Sequence, residues 1–187
     1  MILPQSHTLT TRHLNRVFDN TVATYKYYWF LGILDACVKQ GKSRINVWDI
    51  MISMVTNAWY PVNYFRLSFG KSESLYDAIL TLQREYNIPI NIRINELTEL
   101  LQALIQHSKV RRLLNFLQMN VPFRFLRPWI DTSDDRQTVL RSQTFENGCL
   151  YKLEKIDRIW WIELNPAWLP YLRENYDILT SFAYWGL

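Results

Sequence analysis

The sequence contains few cysteines, glycines and prolines, the residues that form disulfides, metal sites and extended or flexible segments. Its two cysteines, Cys37 and Cys149, belong to no CxxC pair. They are too few for a zinc cage, so we expect packed thiols in the reducing interior of a cell. Five glycines and seven prolines exclude collagen-like and linker-dominated classes. The amino terminus lacks the basic start and apolar stretch of a secretory signal, and we expect a cytoplasmic protein.

Long apolar runs are also missing. The longest, residues 27–34, is far below the roughly 20 residues that a bilayer span needs, so no membrane association is expected. Yet 49% of the residues are apolar and 15% aromatic, enough for a continuous core, which excludes intrinsic disorder. We expect a single domain over 1–187: a loosely ordered arm (1–18), a helical part (19–120) and a hairpin plus carboxyl-terminal helix (121–187).

Apolar periodicity predicts five helices before residue 120. The first is apolar on nearly every face and ends at Gly41, and the second ends before Pro61 because proline disfavours helical angles in the residue before it. The predicted helices span residues 20–40, 45–59, 72 or 74 to 86, 95–106 and 108–119.

The pattern changes after Asn120. Residues 121–130 alternate aromatic or apolar residues with arginine between prolines, which predicts an edge strand or extended arm. Two short β-like runs, 149–153 and 159–164, predict a hairpin with a longer loop, and Asn165 predicts the cap of a final helix over 168–184. The fold class is therefore mainly α with a small β element (α+β), a helical domain with a late β-hairpin. This order also permits a winged-helix-like arrangement.

Acidic residues are absent from 100–130, where five cations lie: Lys109, Arg111, Arg112, Arg124 and Arg127. Cations neutralise phosphates and aromatic faces stack on unpaired bases, so these five are the candidate nucleic-acid-binding residues. A second interpretation stays open. The aromatic residues of this stretch fill the core while the arginines are merely solvated, as in any half-buried strand. Those aromatic residues are Phe116, Phe123, Phe125 and Trp129.

Catalytic and metal motifs are weak. Residues 70–72, Gly-Lys-Ser, imitate the end of a phosphate-binding loop, but Phe65 stands where that loop needs glycine. The three histidines are scattered, without metal-ligand spacing. Glu154, Asp157 and Glu163 either hold a divalent ion or, as is more usual beside lysine and arginine, pair across strands. We expect no catalytic residue, metal or cofactor in this chain, and no cleavage of DNA or RNA by it alone.

Several strings from about residue 18 onward resemble the amino-terminal region of bacterial HNH endonuclease-like proteins, in particular a group common in Bacteroidetes. They are ATYKYYWFL (23–31), WDI (48–50), NAWYPVNYFRLSFGKS (57–72), VPFRFL (121–126), FEN (145–147) and FAYW (182–185). The resemblance implies a downstream nuclease module that holds a divalent metal through histidines, and no residue here matches that module.

The resemblance and the basic stretch together suggest a non-catalytic domain that recognises or positions nucleic acid, most simply DNA, for the HNH module. The alternative is a protein-protein interaction or assembly module of the same nuclease, for which the aromatic terminus 182–185 is the relevant feature.

Overall fold

A computed structural model describes residues 3–19, 24–65 and 74–187. Ten α-helices, a short π-helix, a short 3-10 helix and three strands follow one another in these ranges. The helices are α1 (Arg12–Val17), α2 (Tyr25–Leu34), α3 (Val47–Asn63), α4 (Ser74–Glu85), α5 (Ile94–Leu104), α6 (Ser108–Gln118), α7 (Val121–Leu126), α8 (Asp135–Ser142), α9 (Leu169–Glu174) and α10 (Tyr176–Trp185). The strands are β1 (Arg44–Asn46), β2 (Tyr151–Ile156) and β3 (Ile159–Leu164).

The predicted fold class, mainly α with a small β element, is confirmed. The strands form one antiparallel sheet in the order β1-β3-β2, with Ile162 of β3 opposite Ile45 and Leu153. All three side chains are fully buried, so this face of the sheet closes part of the core. The winged-helix-like arrangement stays a prediction. Within the described residues, no helix is both long and apolar enough to span a bilayer.

Helix α2 lies at the centre of the core, as its apolar residues on every face predict. All residues from Tyr27 to Leu34 are buried. The helix continues into a π-turn, Asp35–Lys39, and the chain reverses at Gly41, whose φ of +66° is in the left-handed region. The predicted amino-terminal cap, Asn20, lies outside the described residues.

Gly32 marks the closest approach of α2 to α3. A Cβ atom at this position would lie 2.7 Å from Cγ2 of Ile50, which is buried. We expect Gly32→Ala to lower the free energy of unfolding by about 1–2 kcal/mol, because the overpacking outweighs the better helix propensity of alanine. Urea unfolding measures the loss. The loss should shrink in an Ile50→Ala background, and an undiminished loss would mean that Ile50 is not the obstacle.

Helix α3 runs through Pro61 to Asn63, so the predicted end before this proline is wrong. The proline ring removes one backbone donor, but Trp59 and Val62 on either side are fully buried. The helical hydrogen-bond pattern resumes after the proline, where the amide of Tyr64 donates to the carbonyl oxygen of Tyr60 at 2.9 Å. Burial of the flanking side chains therefore overrides the local preference of proline.

Residues 121–126 form helix α7, so the predicted edge strand or extended arm over 121–130 is wrong. Pro122 lies in the first turn, where its missing amide is harmless. Phe123, Phe125 and Leu126 are buried while Arg124 and its neighbour three positions on, residue 127, are exposed. In a strand with one buried face, only every second side chain is buried. The adjacent residues 125 and 126 are both buried, which fits the helical period instead.

The predicted hairpin is confirmed, but its connection is shorter than expected. Strands β2 and β3 are joined by Asp157 and Arg158 alone, with φ values of +49° and +68°. Two consecutive left-handed residues are typical of the tight turn that matches strand twist. Helix α8 precedes the hairpin and is capped by the carboxylate of Asp134, which accepts from the amide of Arg136 at 2.8 Å.

The carboxyl-terminal helix is divided in two at Asn175. The predicted cap is confirmed, since the side chain of Asn165 accepts from the amide of Ala167 at 3.0 Å. Phe182 and Ala183 of α10 are buried, whereas Trp185 is 80% exposed.

The amino-terminal segment packs against the rest of the fold. The carbonyl oxygen of Pro4 accepts from the hydroxyl of Tyr171 in α9 at 2.8 Å. Leu3, Leu14 and Val17 of the same segment are buried.

Candidate nucleic-acid interface

Helix α6 separates its three cations onto two flanks. Its buried face consists of Val110, Leu114 and Leu117. At 3.6 residues per turn, residues 109, 112 and 116 lie on one flank of that face and residue 111 lies on the other. The first flank spans about 10 Å along the helix, at 1.5 Å per residue. The three predicted binding residues of α6 therefore do not form one surface.

Arg111 is bound into the fold. Its Nε donates to the carbonyl oxygen of Ile105 at 2.8 Å, and one terminal nitrogen donates to the side-chain oxygen of Gln106 at 3.2 Å. Its guanidinium carbon lies 6.0 Å from the ring centroid of Trp48. Since Ile105 terminates α5, the guanidinium supplies a donor to one of the carbonyls that a helix end leaves unpaired. The structure gives Arg111 a fold-stabilising position away from the other predicted residues.

Arg124 of α7 contacts α2 beside a lysine, and Arg127 follows directly after the end of α7. Arg124 donates to the hydroxyl of Tyr25 at 3.2 Å, although the two residues are 99 positions apart in sequence. The next residue along, Lys26, is half-buried, and its ammonium donates to the carbonyl oxygen of Val17 at 2.9 Å. Burial lowers the pKa of Lys26, and the positive charges of Arg127 and Arg124 lower it further. We call Lys26, Arg124 and Arg127 the basic cluster.

A small pocket joins the basic cluster to the first flank of α6. It measures about 190 Å³, and Tyr25, Phe116, Asn120 and Arg124 lie in its wall. Tyr25 and Phe116 are half-buried, so both rings keep accessible surface. Arg112, one turn before Phe116 on the same flank, is exposed. The pocket therefore combines two aromatic rings with a guanidinium on one continuous stretch of surface.

The other aromatic residues of the basic stretch belong to the core. Phe123 and Phe125 are 3% and 0% exposed, and Trp129 is 8% exposed. For these three the core interpretation is correct, because a base has no access to their faces. Only Phe116 remains available for stacking. The predicted alternation of arginine with aromatic residues free to stack is thus wrong for α7. There the aromatic residues lie on the buried face of the helix and the arginine lies on the exposed face.

Lys109 lies at the far end of the α6 flank. Its ammonium is 3.1 Å from a carboxylate oxygen of Glu85 at the end of α4, and its side chain is 69% exposed. An exposed pair of this kind contributes little to stability and exchanges readily with another anion. Lys109 therefore lies on the same flank as Arg112, with part of its charge already neutralised.

Sequence reasoning missed Lys26 and Tyr25, which only the tertiary structure brings to α7. One signal was present. Lys26 is the sole charged residue of a helix that is otherwise apolar or aromatic, and a charge in that position must reach a polar partner or the surface. The contact with Arg124, in contrast, depends on the packing of α2 against α7 and has no local sequence signature.

Two of the three hairpin carboxylates, Glu154 and Glu163, pair across strands, and Asp157 lies in the turn. Glu154 lies 2.6 Å from Arg44, and Glu163 lies 3.1 Å from Lys152. Among the described residues, no group of three or more histidine, cysteine or carboxylate side chains is placed to hold a metal ion. The Gly-Lys-Ser string at 70–72 lies outside those residues. Both cysteines are buried free thiols, and burial raises the pKa of Cys149 to about 12.

Comparison of the chain with family models, with curated proteins and with solved structures finds no match in any of the three. The arrangement of side chains is therefore the basis for a functional argument.

Lys26 gives the interface an expected pH dependence. A bound phosphate opposes the charges of Arg124 and Arg127 and so raises the lowered pKa of Lys26. Binding therefore takes up a proton wherever Lys26 is partly deprotonated in the free protein. We expect affinity for a DNA duplex to be constant near neutral pH and to fall at alkaline pH, at a lower pH than an unperturbed lysine would require.

Fluorescence anisotropy at constant ionic strength measures this effect. Lys26→Arg is the matched control, because arginine keeps its charge throughout the range and its affinity should stay constant. An equal alkaline loss in both proteins would place the titrating group elsewhere.

Proposed function

We propose that this chain is a non-catalytic nucleic-acid recognition or positioning domain of an HNH endonuclease-like protein, and that the basic cluster binds the phosphate backbone of DNA. One observation carries the proposal: Arg124 donates to the hydroxyl of Tyr25 at 3.2 Å, which brings a guanidinium beside Lys26. Burial lowers the pKa of Lys26, and the positive charges of Arg127 and Arg124 lower it further. The three cations, from α2, from α7 and from the residue that follows α7, repel one another. An anion placed between them relieves that repulsion, and a phosphate is the anion that guanidinium groups match best.

The surroundings of the cluster suit a strand rather than an isolated phosphate. The flank of α6 continues the positive surface through Arg112 and Lys109, with about 10 Å between residues 109 and 116. Successive phosphates on a DNA strand are several ångströms apart, so this flank is long enough for more than one. The rings of Tyr25 and Phe116 lie between the two groups of cations and offer stacking surfaces for an unpaired base.

Such an interface positions DNA without reading its sequence. Phosphate contacts fix the orientation of a duplex, but the phosphates are the same for every base pair. Cleavage belongs to the nuclease module that the resemblance implies downstream, where histidines would hold a divalent ion. The role proposed for this chain is to supply affinity and orientation to that module.

A second function, protein-protein interaction or assembly within the same nuclease, is favoured by one different observation. Ile178 and Trp185 of α10 are 55% and 80% exposed, and because they are seven positions apart they lie on one helix face. Large apolar side chains gathered on one face are typical of docking surfaces. The exposed apolar residues of α10 are not part of the basic cluster. Variants at the two surfaces can therefore test the two functions separately.

The direct test is binding of fluorescently labelled DNA to the purified chain. Three duplexes of unrelated sequence should bind with equal affinity, and a poly-dT strand should bind as well through the pocket rings. Absence of binding at about 50 mM salt and tens of micromolar protein would contradict the proposal, since even non-specific complexes form under these conditions. The interaction-module interpretation would then take its place.

A further inference from the structure

A cleft of about 1000 Å³ lies between the amino-terminal segment, α1, α2 and α10. This volume is at the upper end of the range for small-molecule sites. Asn15 of α1 fixes one wall, because its side-chain oxygen accepts from the amide of Leu3 at 3.1 Å and its side-chain nitrogen donates to the carbonyl oxygen of Thr11 at 3.2 Å. No residue of the basic cluster lines the cleft.

The floor of the cleft is apolar and closely packed. Leu3, Phe18, Tyr27 and Phe182 line it, and each is more than nine-tenths buried. The ring of Phe18 stacks on that of Tyr27, with centroids 4.8 Å apart, and meets that of Phe182 edge-on at 5.1 Å. The ring of Tyr27 also lies against Gly186, where a Cβ atom would overlap its Cζ. This packing holds Tyr27 in one orientation, and none of the three rings presents an open face for stacking.

Two hydroxyl groups of the cleft supply the observation that points to a ligand. Thr11 and Tyr27 are 9% and 5% exposed, and neither hydroxyl has a hydrogen-bond partner in the part of the chain that the structure describes. The unpaired polar atoms that are fully enclosed there belong to other residues, so both hydroxyls reach the open volume of the cleft. Burial raises the pKa of Tyr27, which keeps its hydroxyl a hydrogen-bond donor at physiological pH.

Cations stand at the rim of the same cleft. Arg12 and Arg16 are exposed and lie about one helical turn apart, about 6 Å along the axis of α1. Among the described residues, neither guanidinium forms an ion pair. Asp19, the carboxylate among the residues that line the cleft, is likewise exposed and unpaired within those ranges. The rim therefore offers two cations and one acceptor to a ligand.

We propose that this cleft binds the phosphate monoester of a hydroxyl-bearing molecule, that is, a sugar phosphate, either free or within a mononucleotide. A phosphate monoester carries a charge of about −1.5 to −2 at pH 7, which matches two guanidiniums better than the single charge of a carboxylate does. Its oxygens accept several hydrogen bonds at once, and so suit the hydroxyls of Thr11 and Tyr27 beside the guanidinium forks. The carboxylate of Asp19 repels a second phosphate but accepts from sugar hydroxyls, which selects a monophosphate with a polyol attached.

The test is a titration of the full chain with ribose 5-phosphate, glucose 6-phosphate and adenosine monophosphate, followed by NMR shifts of the backbone amides. At least one of these esters should bind with a dissociation constant of about 1 mM or below and shift amides of α1, Tyr27 and Phe182. Inorganic phosphate and ribose should each bind at least about tenfold more weakly, because each lacks one half of the recognised group. Tighter binding of adenosine monophosphate than of ribose 5-phosphate would identify the mononucleotide as the source of the sugar phosphate, and equal binding would identify the free ester.

Tyr27→Phe removes one unpaired hydroxyl and keeps the packed ring. It should weaken binding of the ester at least about threefold, whereas the melting temperature of the free variant should be unchanged or higher, since the hydroxyl has no protein partner to lose. Arg12→Gln with Arg16→Gln should weaken binding at least about tenfold. Tyr176→Phe is the matched control. Its hydroxyl donates to Asp35 outside the cleft, and its loss should change affinity less than about twofold.

The proposal is overturned if none of the three esters shifts these amides at about 10 mM, or if inorganic phosphate binds as tightly as they do. It is equally overturned if Tyr27→Phe or the double arginine variant binds the ester as tightly as the parent. Arg124→Glu with Arg127→Glu should keep parental affinity for the ester, because the basic cluster lies outside the cleft. Failure at this site is therefore distinguishable from failure of DNA binding.

Discussion

Phe125→Ala is expected to lower the free energy of unfolding by about 3–5 kcal/mol, the range for deleting a fully buried aromatic side chain. Phe125 has no exposed surface and stands among four other rings. Its centroid is 6.1 Å from those of Phe18, Phe30 and Tyr151, and 6.5 Å from that of Trp129. Removing it leaves a cavity where α1, α2, α7 and β2 meet. Urea denaturation measures the loss.

Phe116→Ala is the informative partner of that variant. Phe116 is half-buried in the pocket wall, so its removal should cost less stability than that of Phe125 but weaken binding of poly-dT. Phe125→Leu, which keeps most of the buried volume, should retain parental binding. Equal stability losses at positions 116 and 125 would contradict the assignment of one ring to the surface and the other to the core.

Reversing the charge of the basic cluster is expected to have the largest effect on function. The double variant Arg124→Glu, Arg127→Glu should lose at least about tenfold to a hundredfold in duplex affinity at low salt, because two phosphate contacts become repulsions. The loss should be the same for every DNA sequence. Folding should survive, since both side chains are exposed. Anisotropy and circular dichroism measure the two properties.

A control with the same change in net charge separates the cluster from the overall charge of the protein. Arg93→Glu with Arg158→Glu changes two exposed arginines, one before α5 and one in the hairpin turn, and should reduce affinity only slightly. Arg111→Gln should lower the melting temperature, through loss of the bond to Ile105, and leave affinity nearly unchanged. If the control binds as weakly as the cluster variant, net charge alone explains binding.

The fold class and most helices were predictable because they depend on local signals. Helix α6 follows from apolar residues at positions 110, 114 and 117, and the cap at Asn165 follows from its own side chain. The errors arose where one stretch of sequence was compatible with both the helical and the strand pattern of buried residues. In residues 121–126, Phe-Arg-Phe matches a strand, and only the burial of Leu126 beside Phe125 decides for a helix. Pro61 was misleading for a similar reason, since tertiary burial overrides a local preference.

The candidate site was only partly predictable. Five cations without an intervening acid indicated an anion-binding region, and Arg124, Arg127 and Arg112 are exposed there. The sequence does not reveal that Arg111 turns to the end of α5, because that depends on which flank of α6 meets its neighbour. It also does not reveal Lys26, whose position beside α7 is set by contacts between residues about 100 positions apart.

The salt dependence of duplex binding tests the central claim most directly. With the basic cluster and Arg112 on the backbone, about four phosphates are neutralised, and the log-log slope should be about −3 to −4 at −0.9 per phosphate. In Arg124→Gln with Arg127→Gln the slope should become shallower by about two units. A parental slope near zero, or an unchanged slope in the variant, would show that the basic cluster does not hold the DNA backbone.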